Sequence, residues 1–129
     1  MAKRVLVVEH HPPTVALIRE ALEAEHLDVC SAGDGGEGLI AVAKERPDLV
    51  VLDVTMPILD GFQALSVLRQ GEKAKEIPVV LLTGRKEDQD RLEGWSRGMD
   101  LYLTKPFQIP DLVAAVRRLL EATETPTAA

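Results

Sequence analysis

Five short apolar runs divide the chain, and apolar residues at helical spacing fill the intervals between them. The runs are rich in Val and Leu and mostly continuous rather than alternating, which is typical of strands buried on both faces of a parallel sheet. They span 4–8, 27–30, 48–52, 78–82 and 101–103. Helical stripes follow at 14–25, 35–45, 61–69, 86–97 and 110–121. Strand and helix therefore alternate five times, which predicts right-handed crossovers and a doubly wound α/β sheet.

Local signals mark several helix ends. Asp34 precedes Glu37 by three residues, an acidic variant of the capping box, and Asp60 is the expected N-cap of the third helix. Gly98 is the expected C-terminal stop of the fourth helix, and Pro110 suits the first position of the fifth. These signals support the helical reading of all the intervals in which they occur.

Three side chains test how the helices and strands pack. Trp95 falls on the apolar stripe of the fourth helix and is expected in the core. Leu101 begins a short edge strand and is expected to be partly exposed. Cys30 lies in a strand-like run and is interpreted as a small buried hydrophobe rather than a nucleophile.

Length and composition predict a single domain over residues 1–122, with 123–129 as a flexible tail or the start of a linker. There is no signal-peptide pattern and no apolar run of the roughly 20 residues that span a bilayer. A cytoplasmic protein without a membrane segment is expected, and a single cysteine agrees with that compartment. The net charge of −6 argues against direct contact with nucleic acid.

Residues with ionisable or hydrogen-bonding side chains follow four of the five predicted strands. They are Glu9 and His10 after the first strand, Asp53 after the third, Thr83 after the fourth and Lys105 after the fifth. Ligands of open parallel sheets bind beyond the carboxyl ends of the strands, so these side chains are expected to meet. Alone, each residue has an ordinary interpretation as a helix cap or a solvated side chain. Together they indicate an anion-handling site in which carboxylates hold a divalent cation and a lysine balances phosphate charge.

The glycine-rich stretch GDGGEG at 33–38 does not add a nucleotide site. Its spacing matches neither the P-loop nor the dinucleotide-binding fingerprint, and a turn into the second helix is the better interpretation.

Four segments of the chain resemble the receiver domain of bacterial two-component response regulators, from residue 4 to about residue 121. They are VLVVE (5–9), PDLVVLDVTMPILDGF (47–62), IPVVLLTG (77–84) and LYLTKPF (101–107). The resemblance implies a flavodoxin-like (βα)5 fold with the parallel strand order 2-1-3-4-5. It also implies a signalling switch rather than an enzyme. The expected partners are a sensor histidine kinase or phosphotransfer protein and a downstream effector.

The resemblance also assigns roles at the site. Asp53 would accept a phosphoryl group, and Glu9, Asp53 and the backbone carbonyl of Thr55 would hold Mg²⁺. The Thr83 hydroxyl and the Lys105 ammonium would contact the phosphoryl group.

Signal output follows from the same resemblance. Tyr102 would change rotamer together with Thr83, and the face formed by helix 4, strand 5 and helix 5 would be remodelled for an effector or a second copy of the chain. The peptide bond between Lys105 and Pro106 is usually cis in the family.

The sequence departs from the family pattern at His10, where a second metal-binding acid is expected after Glu9. Imidazole is a poor ligand for Mg²⁺, so affinity for that cation should fall. Three interpretations stay open: a weakened but working switch, a phosphorylation-independent interaction module, and a site for a borderline metal such as Zn²⁺ or Mn²⁺. His11 is expected to be an exposed turn residue beside Pro12.

Two other classes of function compete with the switch. An adaptor with a fixed surface would show no response to beryllofluoride and Mg²⁺, whereas a switch would. A flavodoxin-like cofactor protein would need aromatic residues to stack a flavin, and aromatics are only 3% of this chain and unclustered.

Overall fold

The computed structural model describes residues 2–55, 60–72, 74–84 and 88–124. Within them, strands and helices alternate as predicted. The strands are β1 (Arg4–Val8), β2 (Asp28–Ala32), β3 (Leu49–Asp53), β4 (Val79–Thr83) and β5 (Leu101–Thr104). The helices are α1 (Pro12–Glu23), α2 (Gly35–Glu45), α3 (Gly61–Gln70), α4 (Asp88–Arg97) and α5 (Ile109–Glu124), with a short 3₁₀ helix at Ala74–Glu76.

The five strands form one parallel sheet in the order β2-β1-β3-β4-β5, which confirms the predicted topology. The order reverses beside β1, which pairs with β2 on one side and β3 on the other. Val8 is in register with Ala32 and Leu52, and Asp53 is in register with Leu82. The carboxyl ends of the central strands therefore lie level at one edge of the sheet, next to the reversal point where ligands of such folds bind.

The sheet separates two apolar cores. One lies under α2 and α3, and its strand contributions are Leu6, Val8, Val50, Leu52, Val79 and Leu81. The other lies under α1 and α5, and its strand contributions are Val5, Val7, Leu49, Val51, Val80 and Leu82. Successive residues of a strand point to opposite faces, so burial of both faces requires continuous apolar runs. The same apolar runs predicted the strands.

Helix starts follow the predicted caps with small differences. The α1 helix begins at Pro12, two residues earlier than expected, because proline is well tolerated in a first helical turn. The Asp34 side chain accepts from the Glu37 backbone N–H at 2.8 Å, as predicted, while the Glu37 carboxylate accepts from Gly33 N–H at 3.0 Å. Asp60 caps α3 in a complete capping box.

Helix ends agree less closely with the sequence pattern. Gly98 follows α4 with φ +96°, a left-handed conformation suited to the predicted stop. The α5 helix continues to Glu124, two residues into the predicted tail. The rest of that tail, 125–129, lies outside the described residues. Within the described part of the chain, no helix has the length and apolar character needed to cross a membrane.

The prediction that Trp95 packs in the core is wrong, since 54% of the residue is exposed. The α4 helix contacts the sheet through Gly94 instead, where an added Cβ would lie 2.5 Å from Met99 Sδ and 3.1 Å from Leu81 Cδ1. Consecutive helical residues point about 100° apart, so contact at Gly94 turns Trp95 towards solvent.

The predictions for Leu101 and Cys30 agree more closely with the structure. Leu101 is partly exposed and packs against the α1–α5 core. Cys30 is half-buried against the other core, with its Sγ 3.7 Å from the Val5 carbonyl oxygen. Burial raises the pKa of the Cys30 thiol, which keeps it protonated and agrees with a packing role.

Candidate functional site

The residues singled out at the strand ends meet at the carboxyl edge of the sheet. Glu9 directly follows β1, Asp53 ends β3, Thr83 ends β4, and Lys105 directly follows β5. Glu9, Asp53 and Thr83 are at most 2% exposed. The sheet thus buries two carboxyl groups and a hydroxyl at one place, whereas the other buried side chains among the described residues are apolar.

Lys105 links the two buried carboxylates. Its ammonium donates to both oxygens of Glu9, at 3.0 and 3.1 Å, and lies 3.4 Å from Asp53 Oδ2. A single ammonium therefore faces two acidic groups, and the favoured contact is with Glu9. The peptide bond between Lys105 and Pro106 is cis, as the resemblance implied.

The two oxygens of Asp53 have different surroundings. Oδ1 accepts a hydrogen bond from the Thr55 backbone N–H at 3.1 Å. Oδ2 is buried and has no hydrogen-bond partner among the described residues. An unsatisfied buried acceptor costs about 1–3 kcal/mol, more if it is charged, and therefore needs an explanation. A ligand that binds at Oδ2 would supply one.

Burial, with a smaller contribution from the neighbouring Asp53 carboxyl, raises the pKa of Glu9 to about 7, while Lys105 opposes the rise. The charged form of a carboxyl group is disfavoured where water is excluded, and a second carboxylate adds repulsion. A bound cation would reverse this effect, because positive charge favours the ionised carboxylate. The site therefore favours either a proton or a cation beside Glu9.

His10 and His11 are both exposed, and only His10 belongs to the acidic site. His10 Nδ1 lies 3.7 Å from Asp53 Oδ2. Glu9, His10 and Asp53 can each present one ligand atom, and the three atoms lie within 4.8 Å of one another. His11 instead occupies the N-cap position of α1, with its Nδ1 2.8 Å from Thr14 Oγ1, in agreement with its prediction as an exposed turn residue.

The donor set fits Mg²⁺ only in part. Glu9 and Asp53 offer the hard oxygens that Mg²⁺ prefers, and Oδ2 of Asp53, which accepts no hydrogen bond from the described residues, is available to it. His10 offers nitrogen where an oxygen ligand is required. The role expected for the Thr55 carbonyl stays a prediction.

Thr83 and Tyr102 lie on the adjacent strands β4 and β5. Thr83 is fully buried at the end of β4. Tyr102 is half-buried in the adjacent β5 and packs against the α2–α3 core. Their roles as switch residues stay predictions.

The sequence did not predict a cavity that adjoins the site. A cavity of about 440 Å³ beside Glu9 and His10 is also lined by Arg19, Ser31 and Glu37. The Arg19 guanidinium is held there by the Val29 carbonyl at 2.8 Å and by Ser31 Oγ at 3.3 Å. No sequence signal marks this cavity, because it depends on how α1 packs beside the end of β2.

The doubly wound parallel sheet defines a flavodoxin-like fold, and two buried carboxyl groups, a hydroxyl and a lysine lie at its carboxyl edge, where such folds bind ligands. The family model of the response regulator receiver domain matches residues 5–117. The chain belongs to this family, which functions in two-component signalling.

Individual relatives agree with the family. The chain is 39% identical over 121 residues to the DNA-binding dual master transcriptional regulator RpaA of Synechocystis sp., covering 94% of this chain and 50% of RpaA. The chain thus spans about half the length of the curated relatives it matches.

Solved structures share the fold. The receiver domain of Francisella response regulator 1452 superposes with a TM-score of 0.88 at 33% identity, covering 94% of this chain and 98% of that one. The receiver domain of a sensor histidine kinase from Pseudomonas aeruginosa superposes with a TM-score of 0.85 at 27% identity, covering 94% and 99%. That structure has a magnesium ion coordinated in its active-site cleft.

Proposed function

We propose that this receiver domain is a phosphoryl-accepting switch in which Asp53 is the acceptor. The observation that carries the proposal is Asp53 Oδ2, a buried carboxylate oxygen without a hydrogen-bond partner among the described residues. It lies 3.4 Å from the Lys105 ammonium, which can offset charge on an incoming phosphoryl group. A carboxylate becomes an effective nucleophile when neighbouring positive charge offsets its own charge and that of the phosphoryl donor.

The chemistry is a transfer from nitrogen to oxygen. A carboxylate oxygen of Asp53 would attack phosphorus of a phosphohistidine on a sensor histidine kinase or phosphotransfer protein. The P–N bond would break, and the leaving imidazole would take a proton from solvent. Lys105 would then exchange its contact with Glu9 for one with the phosphoryl oxygens, since its ammonium is already within reach of both carboxylates.

The output side of the proposal involves Thr83 and Tyr102. A phosphoryl group on Asp53 would attract the Thr83 hydroxyl from the adjacent strand, and the space it vacates would admit a new rotamer of Tyr102. The face of α4, β5 and α5 would change for a downstream effector or a second copy of the chain. No turnover of a separate substrate is part of this proposal, so the domain acts as a switch rather than an enzyme.

His10 is proposed to weaken Mg²⁺ binding. Its nitrogen replaces an oxygen ligand, and the pocket loses one negative charge relative to an acid at that position. Loss of one ligand of this kind should lower Mg²⁺ affinity by about tenfold or more. Phosphorylation would then need more Mg²⁺ than a site with two adjacent acids.

Intact-mass spectrometry after treatment with acetyl phosphate and Mg²⁺ tests the proposal. Wild type, His10→Asp and Asp53→Asn would be treated side by side. The wild type should gain one phosphoryl group that Asp53→Asn does not gain, and His10→Asp should gain it at lower Mg²⁺. A phosphoryl group on Asp53→Asn would contradict the assignment of the acceptor.

A phosphorylation-independent interaction module is the second candidate, and His10 favours it, because this residue stands where a second metal-binding acid is expected and phosphoryl transfer to Asp53 would need that metal. Beryllofluoride with Mg²⁺ separates the candidates, because this phosphoryl mimic should shift the amide resonances of Thr83 and Tyr102 in a switch. Unchanged resonances, together with a mass gain only in His10→Asp, would establish the module.

A further inference from the structure

The ligand atoms of Glu9, His10 and Asp53 are spaced as in a site for one small metal ion. All three lie within 4.8 Å of one another, and His10 Nδ1 is 3.7 Å from Asp53 Oδ2. Two ligands bound to one tetrahedral Zn²⁺ at about 2.0–2.1 Å are separated by about 3.4 Å. A shift of a few tenths of an ångström, within the freedom of a half-exposed imidazole, would bring His10 Nδ1 and Asp53 Oδ2 to that spacing.

A second observation also points to a cation. Asp53 Oδ2 is buried and accepts no hydrogen bond from the described residues, although the Lys105 ammonium lies 3.4 Å away. Among the described ion pairs, it is this oxygen that pairs with the His10 ring nitrogen, at 3.7 Å. The unsatisfied acceptor and the nitrogen donor therefore face the same small volume.

The chemistry of these ligands separates the metals. Imidazole suits Zn²⁺, Cu²⁺, Ni²⁺ and Fe²⁺, whereas Mg²⁺ requires oxygen ligands in near-octahedral geometry. One nitrogen and two carboxylate oxygens would occupy three positions of a tetrahedral Zn²⁺ and leave the fourth open to water or to a phosphoryl oxygen.

We propose that Glu9, His10 and Asp53 form a site selective for a borderline first-row transition-metal dication, represented by Zn²⁺, over Mg²⁺. The inference rests on the proposed function for the meaning of the site in phosphoryl transfer. The metal preference itself concerns binding alone. His10 thus changes the metal that the site selects, rather than only removing a ligand.

Lys105 does not account for such a preference. Its ammonium lies 3.0 Å from Glu9 and 3.4 Å from Asp53, so it opposes any dication placed between these carboxylates. The repulsion depends on charge and distance, which are similar for Zn²⁺ and Mg²⁺. Lys105 therefore does not distinguish the two metals, and the His10 nitrogen is the ligand of this set that favours Zn²⁺.

Calorimetric titration of the metal-free protein with ZnCl₂ and separately with MgCl₂ tests the proposal. The proteins are wild type, His10→Ala, His10→Asp and the matched control His11→Ala, which removes a neighbouring exposed imidazole. Wild type should bind one Zn²⁺ at least about 100-fold more tightly than Mg²⁺. His10→Ala should lose about tenfold or more in Zn²⁺ affinity with little change for Mg²⁺, and His11→Ala should match wild type.

His10→Asp should move the preference the other way, with tighter Mg²⁺ and a smaller Zn²⁺ advantage. Equal affinities of the wild type for the two metals would overturn the proposal. So would Zn²⁺ binding that survives in His10→Ala, or that falls equally in His11→Ala. Thermal unfolding in a chelator would show that each variant is folded. The titrations need no phosphoryl donor, so a failed mass gain on Asp53 and a failed metal preference are distinguishable results.

Discussion

Gly61 is the place where α3 contacts the end of the strand that carries Asp53. A Cβ added at Gly61 would lie 2.4 Å from the Asp53 carbonyl oxygen and 2.7 Å from Val54 Cα. The Gly61 N–H also donates to the Val54 carbonyl at 3.0 Å. Both close neighbours are backbone atoms, so no side-chain rotation can make room for a methyl group. The substitution Gly61→Ala must therefore move either α3 or the end of β3.

The magnitude follows from the overlap. Ordinary contacts begin at 3.4 Å, so the Cβ is about 1 Å too close to the Asp53 oxygen. Other residues of α3 bury apolar side chains in the α2–α3 core, among them Phe62, Leu65 and Leu68. Because the overlap is with backbone atoms, a shift of α3 would disturb that packing at a cost in the upper part of the usual range, about 2–3 kcal/mol. The better helix propensity of alanine would return at most about 1 kcal/mol.

Urea unfolding measures the stability, with Gly36→Ala as the matched control in the first turn of α2. There the added Cβ lies 3.4 Å from Asp34 Oδ1, an ordinary contact, and stability should stay equal or rise by up to about 1 kcal/mol. Gly61→Ala should lower the free energy of unfolding by about 1–2 kcal/mol net. It should also slow phosphorylation of Asp53 when equal concentrations of folded variant and folded wild type are compared. Equal stability of Gly61→Ala and wild type, within about 0.5 kcal/mol, would refute the reasoning.

Three further predictions concern charge and caps. In the metal-free protein, folded Glu9 keeps its proton up to a pKa of about 7 while the unfolded group loses it near 4.5, so this residue's contribution makes stability fall as pH rises through that window. In Glu9→Gln, the free energy of unfolding should fall by roughly 2–3 kcal/mol less than in wild type between pH 5 and 8, as measured by urea unfolding with a chelator. An unchanged pH dependence would count against the raised pKa. Asp60→Ala should cost about 1 kcal/mol by the same assay, with Asp60→Asn close to wild type, because asparagine also caps helices. Arg69→Met should cost about 2–3 kcal/mol, since the Arg69 guanidinium binds Asp100 at 2.9 Å and several backbone carbonyls, whereas Arg118→Met at an exposed position should be neutral.

The topology and the location of the site were predictable because each rests on a short-range rule. A strand buried on both faces must be apolar throughout, so β1, β3 and β4 are visible as runs of Val and Leu. Parallel strands bring their carboxyl ends to one edge, so the residues that follow them must be neighbours. The positions of Glu9, Asp53 and Lys105 follow from these two rules without any knowledge of side-chain geometry.

The orientation of α4 was not predictable by the same means. The sequence pattern does not distinguish a helix that packs through a large apolar residue from one that packs through glycine. Contact of Gly94 with Leu81 and Met99 decides the orientation, and it depends on the space left between α4 and β4. Trp95 is consequently exposed although it falls on the apolar stripe.

The pairing within the site also lay beyond the sequence. Lys105 is close to both carboxylates, and its side-chain geometry favours Glu9. The site as folded is therefore unbalanced, with two buried carboxyl groups, one ammonium and one oxygen of Asp53 without a hydrogen bond among the described residues. A proton on Glu9, a metal ion beside His10 or a phosphoryl group on Asp53 would each relieve that imbalance in a different way. A proton on Glu9 should oppose a metal ion, because both need the same carboxylate, and the identity of residue 10 decides how strongly a metal takes part.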